Sequence, residues 1–277
     1  MEPVISLQNV GYAYDDNKPA LQNISLTIHS GERVVLLGSN GAGKSTLFLC
    51  CNGVLTPNSG SITLGGRVLS HSRADLQLLR RSVGLVFQDP DDQMIGTTVE
   101  SEISFGPMNL HLTPQAVREN TQAALEAMNL LALRNRPPHY LSGGEKKRVS
   151  IADILAMQPS LVLLDEPTAS LDRTHTALLH QTLEQLHRQG LALLVSTHDV
   201  EFAWSWADRA VVLSQGEIIA DAPIAEVFSQ ERVLHAAGLT KPILFEAGQL
   251  LFPALPPQKL PRSMEQLKTM IKENTYV

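Results

Sequence analysis

The sequence predicts an α/β protein: a buried, largely parallel sheet wrapped by helices, with an antiparallel sheet beside it and a helical insertion between sheet strands. Three observations carry that expectation. Short apolar runs rich in β-branched residues, "RVVLLG", "SVGLVF", "LVLLDE" and "LALLVST", alternate with stretches of helical spacing and are bounded by polar or turn residues. "VISLQNV" and "ISLTI" alternate apolar with polar residues, as strands with one wet face do. From about Asp89 to Met157 the strand signal fades and helical spacing takes over.

Taken in order, the two alternating strands and "SGSITLGGRVLS", a hairpin turned at Gly65-Gly66, form the antiparallel sheet. "RVVLLG" opens the parallel core and leads through a glycine-rich loop into the apolar helix "TLFLCC"; "SVGLVF" is a second core strand that ends at Gln88. In the insertion, "PQAVRENTQAALEAMNLLAL" sets Val117, Ala124, Leu125 and Met128 on one helix face. "LVLLDE" and "LALLVST" are further core strands. After Asp221 the chain reads as helix in "APIAEVF" and "RVLHAAGL", as proline-rich in "FPALPPQKLP", and as helix again in "SMEQLKTMIKEN". Residues 1–221 are therefore read as one domain with a helical subdomain at about 89–157, and residues 222–277 as a C-terminal appendage without evident chemistry.

A chain of 277 residues can bury a substantial core. Lys plus Arg number 22 against 28 Asp plus Glu, a balance of -6 that gives no general electrostatic reason to expect a nucleic-acid partner. The only cysteines, Cys50 and Cys51, are adjacent and supply neither a disulfide staple nor a zinc site, so they are read as small core residues of a reducing compartment. The N-terminus lacks the pattern of a signal peptide. Apolar runs such as "VVLL" and "LALLV" are far shorter than the roughly 20 residues of a membrane helix. A soluble chain is expected, and any membrane role falls to a partner that spans.

"GSNGAGKST", Gly38 to Thr46, has the G-x-x-x-x-G-K-[ST] spacing between a strand and a helix. Gly38, Gly41 and Gly43, with the intervening Ser39, Asn40 and Ala42, free successive backbone N–H groups to curl around phosphate oxygens. Lys44 adds a point charge, and the helix that starts after Gly43 aims its N-terminal donors at the same anion. The Ser45 hydroxyl is placed to ligate Mg²⁺, and Thr46 to reach the α-phosphate. The competing reading is a glycine-rich turn that only joins strand to helix; the rarity of the four fixed positions and their place between strand and helix favour nucleotide binding.

"LVLLDEPTASLD" delivers Asp165 and Glu166 to the carboxyl edge of the sheet, where α/β proteins bind ligands. Asp165 would hold Mg²⁺ through its water shell, and Glu166 would orient or deprotonate an attacking water. By itself such a strand end is more often an ordinary turn; the phosphate loop reverses that preference. His198 ends the strand "LALLVST" at the same edge and could contact the γ-phosphate and the water. Gln88 ends another strand there and can offer its amide oxygen to Mg²⁺ or bond the water. Of the nine histidines, His175, His180 and His187 lie on an expected helix and are read as its solvated face.

These residues resemble the ATP-binding cassette ATPases, the nucleotide-hydrolysing subunits of ABC transporters, over roughly Val4 to Asp221. The resemblance rests on a Walker A loop at Gly38–Thr46, a glutamine loop at Gln88, the signature "LSGGE", a Walker B strand ending at Asp165 with Glu166, the D-loop "ASLD" through Asp172 and the switch His198, all in family order. It implies a P-loop core of the RecA type, ATP as substrate with Mg²⁺, and Tyr14 in "GYAY" as the aromatic that stacks on adenine, against the plainer reading of a half-buried strand tyrosine. It also implies a head-to-tail pair, expected to be a homodimer, in which Ser142, Gly143 and Gly144 of one copy face the ATP held by the Walker A loop of the other. Taken alone, Ser142 and Glu145 are equally a plain S-x-x-E capping box with no ligand. The family more often has glutamine where Glu145 stands; this glutamate is expected to fold back as the cap, with Lys146, Lys147 and Arg148 offsetting its charge.

A narrower resemblance starts just past Gln88. "QDPDDQMIGTTVESEISFGPMNL" is similar to the corresponding segment of energy-coupling-factor importers, particularly the cobalt and nickel ATPases. It implies a peripheral subunit on the cytoplasmic face of the membrane, a transmembrane coupling subunit and a membrane substrate-binding subunit, with Asp92, Gln93 and Met94 at the docking surface. Cobalt is the expected cargo, with nickel or a vitamin as alternatives. From another class, a soluble ATP-gated clamp would share the cassette, but such relatives carry long coiled coils or two cassettes per chain.

Overall fold

The computed structural model describes residues 2–15, 18–70, 72–169 and 171–274. Strands β1 (Pro3–Ala13) and β2 (Pro19–His29) pair antiparallel, and β4 (Ser59–Leu64) and β5 (Arg67–Val68) extend the sheet in the order β2-β1-β4-β5. The turn between β4 and β5 has positive φ at both Gly65 and Gly66, the geometry that a two-residue hairpin of right-twisted strands requires.

The second sheet runs β10-β9-β3-β8-β7-β6, with β3 (Arg33–Leu37), β6 (Val83–Val86), β7 (Leu161–Asp165), β8 (Ala192–Thr197) and β9 (Arg209–Ser214) mutually parallel. Strand β10 (Glu217–Pro223) returns antiparallel on β9. The sequence reading passes over this last pair: "AVVLS" is short and its partner "EIIADAP" is half-exposed, so neither stands out until the Gln215-Gly216 turn joins them.

Alternate residues of the central strands face two cores, as the strand period demands. Val34 and Leu36 pack with helix α1 (Lys44–Asn52) and the antiparallel sheet through Leu47, Phe48, Cys50 and Cys51. The cysteines are core residues, and burial pushes the Cys50 thiol up to about 12. Val35 and Leu37 face the larger core, where α6 (Arg173–Arg188), α7 (Val200–Trp206), α8 (Ile224–Ser229), α9 (Glu231–Ala237) and α10 (Ile243–Leu251) contribute Leu183, Trp204, Phe228, Leu234 and Phe245. Helices α8, α9 and α10 therefore share the core of the sheet. Trp204 Nε1 donates to Pro261 O at 2.9 Å, and the Arg262 guanidinium lies 4.9 Å over the Trp204 ring. The sequence predicts α11 (Met264–Asn274) but gives no separate signal for α10.

The helical insertion consists of α3 (Val99–Asn109), α4 (Pro114–Ala127) and α5 (Gly143–Ala156), each N-capped by a hydroxyl, Thr98, Thr113 and Ser142 respectively. Ala124, Leu125 and Met128 are buried where the spacing put them, and Val117 is half-buried. The reading of three α6 histidines as solvated is corrected. All are half-buried; His180 packs edge-on against Phe202, and burial lowers its pKa. Helix α6 lies on the sheet over a wider arc than its polar residues suggest. Among the described residues no helix is long and apolar enough to cross a membrane.

Asp153 on α5 titrates far from its usual range. Burial pushes it from 3.8 up to about 7, opposed by the hydrogen bond from Gln93 and reinforced by Glu102. The folded chain thus holds this proton more tightly than the unfolded chain, and the carboxylate costs stability as pH rises from about 4 to about 7. Asp153→Asn keeps an acceptor for Gln93, so it should raise the melting temperature by a few degrees at pH 8. Most of that gain should vanish by pH 4. Melting curves at the two pH values check this.

Candidate functional site

The carboxyl ends of β3, β6, β7 and β8 lie side by side, and the loops that leave them carry the polar residues singled out from the sequence. After β3 the chain turns through Gly38–Gly43 into α1. Gly43 has φ 107, and a Cβ there would fall 2.7 Å from Ala20 O, so only glycine lets the loop lie this close to β2. Ala42 N donates to Ser39 O at 3.1 Å, which closes the loop on itself. Lys44, 7% exposed, donates from Nζ to Gly38 O at 2.8 Å and to Ser39 O at 3.3 Å, with Glu166 Oε1 at 3.4 Å.

A cavity of about 320 Å³ is lined by Tyr14, Asn40, Gly41, Gly43, Lys44, Ser45, Thr46, Gln88, Asp165 and Glu166. It thus gathers most of the expected nucleotide and metal residues. Tyr14 is 63% exposed, bonds Thr46 Oγ1 through its hydroxyl at 3.2 Å and is braced edge-on by Tyr12, which leaves a ring face open. Asp165 Oδ1 accepts from Ser196 Oγ at 2.5 Å. Glu166 has φ 41, a left-handed backbone that L side chains rarely adopt, and its N–H is shared between Ser196 O and Ser196 Oγ, both at 3.1 Å. Its Oε2 meets His198 Nδ1 at 2.9 Å, while Oε1 accepts no hydrogen bond among the described residues. Buried Ser196, which sequence reasoning missed, joins the acid pair from the neighbouring strand. A hydroxyl inside the apolar run "LALLVST" was the available signal.

The oxygen set of Ser45, Gln88 and Asp165 on one cavity suits a hard cation. No cluster of three or more His, Cys, Asp or Glu that could hold a metal occurs among the described residues.

Ser142, Gly143 and Gly144 do not line this cavity. Gly143 borders a neighbouring cavity of about 400 Å³ together with Gln88, Asp89, Lys147, Asp165 and Leu171. Ser142 Oγ accepts from Glu145 N at 3.3 Å, and Glu145 Oε2 accepts from Ser142 N at 2.7 Å, the reciprocal capping box foreseen for Glu145. The cap bond and the positive charges of Arg136 and Arg148 hold the Glu145 carboxyl below its usual range. The expected offset by all three basic neighbours is corrected. Lys146 Nζ pairs with Asp91 at 2.6 Å instead, and Lys147 turns inward to Phe87 O at 3.0 Å and Gln88 O at 2.7 Å. Burial pushes the Lys147 ammonium down to about 8, against the opposing pull of Asp89 and Asp165. The ring of His175 packs on Gly144, where a Cβ would fall 2.1 Å from it, and bonds Asp172 Oδ1 through Nδ1 at 2.9 Å. Asp172 caps α6. Ser170 of "ASLD" lies outside the described residues.

With this geometry in view, the family described as ABC transporter matches residues 21–169. The chain is 44% identical over 278 aligned residues to the energy-coupling factor transporter ATP-binding protein EcfA2 of Methanospirillum hungatei, covering all of this chain and 70% of that protein. It is 45% identical over 246 residues to the cobalt import ATP-binding protein CbiO of Rhodobacter capsulatus, covering 89% of this chain and 88% of that protein. Among solved structures, cbiO1 of Clostridium perfringens, part of the complex cbiONQ, superposes with a TM-score of 0.78 at 34% identity, covering 91% of this chain and 97% of the other. A dimeric ATP-binding cassette in a post-hydrolysis state with ADP and Pi superposes with a TM-score of 0.70 at 27% identity over 79% of this chain and 98% of the other. The chain thus belongs to the ABC transporter family as an ATPase, an ATP-binding subunit of the energy-coupling-factor type.

Proposed function

We propose that the chain drives an energy-coupling-factor importer for cobalt ions, with nickel as the nearest alternative cargo. The observation that carries the chemistry is the convergence of Lys44, Ser45, Asp165 and Glu166 on one cavity beside His198. Amides of Gly38 to Gly43 and the Lys44 ammonium take the β- and γ-phosphates, Thr46 the α-phosphate, and Tyr14 stacks on the adenine. Ser45, Gln88 and Asp165 would hold Mg²⁺, which when bound neutralises charge on the β- and γ-phosphates. Glu166 accepts a proton from water as that water's oxygen bonds the γ-phosphorus and the bond to ADP breaks. His198 holds Glu166 Oε2 and reaches toward the transferred group.

A second copy, arranged head to tail, supplies Ser142, Gly143 and Gly144 to the far side of each ATP, and Asp172 to the seam. The dimeric ATP-binding cassette with ADP and Pi among the similar structures supports a paired arrangement. Attachment to the cytoplasmic face of the membrane falls to a transmembrane coupling subunit, which in turn holds a membrane substrate-binding subunit. A cavity of about 790 Å³ between α2 (Arg73–Ser82), α3 and α5, lined by Arg73, Leu76, Phe105, Gly106, Leu110 and Met157 among others, fits a coupling helix. The docking role first given to Gln93 is revised. Its side chain turns inward, donating to Ser150 O and Asp153 Oδ2, both at 3.1 Å, and Met94 packs on the core. Phe105 and Met108 are the exposed apolar side chains of α3.

Phe105→Glu with Met108→Glu should therefore reduce copurification with the transmembrane subunit and transport by about tenfold or more, with the isolated chain's ATP affinity unchanged. Uptake of labelled cobalt, nickel and vitamins by the reconstituted complex tests both the docking surface and the cargo. Vitamin uptake without metal uptake would refute the metal assignment.

A further inference from the structure

Lys147 is an ammonium with 2% of its surface exposed, placed one turn into α5, and the acceptors within its reach are backbone carbonyls. Among the described residues no carboxylate lies within ion-pair distance of it. Burying a charge is costly unless it is fully hydrogen-bonded, and an apolar side chain of similar volume would fill this space without that cost. What the charge holds is the Phe87–Gln88 turn. The other tie on that turn, Gln93 Oε1 to Phe87 N, is long at 3.4 Å, and the Lys146–Asp91 pair is exposed. Gln88, on this turn, lines the cavity of Lys44, Ser45, Asp165 and Glu166 as well as the neighbouring one, while the start of the helix that carries Lys147 is the Ser142 cap.

We propose that Lys147 is a positioning residue for ATP hydrolysis: its ammonium pins the Gln88 turn to the start of α5, so that the Gln88 amide of one site and the signature surface offered to the partner's ATP move as one body. This rests on the function proposed above. Lys147 does not line the cavity of Lys44 and Glu166, and its influence on the rate passes through Gln88. A misplaced amide slows the chemical step while leaving the phosphate loop able to bind.

A double-mutant cycle on the full-length chain tests this, with kcat, KM and ATP affinity measured for Lys147→Met, Gln88→Ala and the double variant. Lys147→Met should lower kcat by about tenfold with ATP affinity within about twofold of wild type. In the Gln88→Ala background it should change kcat by less than about twofold, because the group it positions is gone. Lys147→Arg, which keeps the donors, should restore kcat to within about threefold of wild type. Equal losses from Lys147→Met in both backgrounds, a loss that falls on affinity instead of kcat, or no rescue by arginine would overturn the proposal. Wild-type kcat in Gln88→Ala alone would instead overturn the role given to Gln88, and this proposal with it. If Lys147→Met does not fold, Lys147→Gln enters the same cycle.

Discussion

Glu166→Gln should bind ATP as tightly as the wild type and hydrolyse it slower by a factor of about 10² to 10⁴. The substitution keeps the shape of the side chain and the backbone bonds to Ser196, and it retains an oxygen for His198. It removes the carboxylate proposed to accept a proton from water. Lys44→Ala should fail at the earlier step. Its ammonium is the countercharge facing the cavity, and without it ATP affinity should fall by about 100-fold. Equilibrium nucleotide binding and single-turnover hydrolysis separate the two outcomes. Near wild-type turnover by Glu166→Gln would remove Glu166 from the role of base.

Most of the candidate site's convergence was legible because phosphate-binding chemistry would demand fixed residue types at fixed spacing on strand ends. The phosphate loop needs its glycines and lysine in one contiguous stretch, and Asp165-Glu166 follow directly from an apolar strand. What stayed hidden depends on contacts between distant segments. Ser196 reads as one more residue of a buried strand until β8 is laid beside β7, where its hydroxyl meets Asp165. Lys147 reads as one of three cations that offset Glu145 until the Gln88 turn is seen to lie against it. Gln93 belongs to a polar segment that invited a surface role, yet its amide ties that segment to α5. The architecture was likewise readable wherever one face is wet or both are dry. The exceptions are the β9–β10 pair, whose second strand is half-exposed, and α10, which carries exposed Leu250 and Leu251 on a short, mostly apolar run. The packing of α8 and α10 on Trp204, through Phe228 and Phe245, could not be inferred from their sequences, since short amphipathic helices dock equally well on many surfaces.

The second large effect concerns how the two halves of an ATP site are assembled. Ser142 lies outside the cavity of its own Lys44, and its hydroxyl and the amides of Gly143 and Gly144 form a helix start with the polarity to face an anion. Ser142→Arg would place a bulky side chain there and should abolish ATP-dependent pairing of a homodimer, as should Lys44→Ala, because both sites then contain one damaged half. A mixture of the two variants behaves differently if the halves come from different copies. One site of the mixed dimer receives both damaged halves and the other receives none, so pairing should return with about one nucleotide per dimer. The decisive measurement is ATP-dependent cross-linking of differently tagged Lys44→Ala and Ser142→Arg chains, both carrying Glu166→Gln to stop turnover. Cross-linking in the mixture but in neither variant alone is the predicted result. No cross-linking in the mixture, while chains with intact Lys44 and Ser142 pair normally, would show that the signature helix does not hold a partner's ATP.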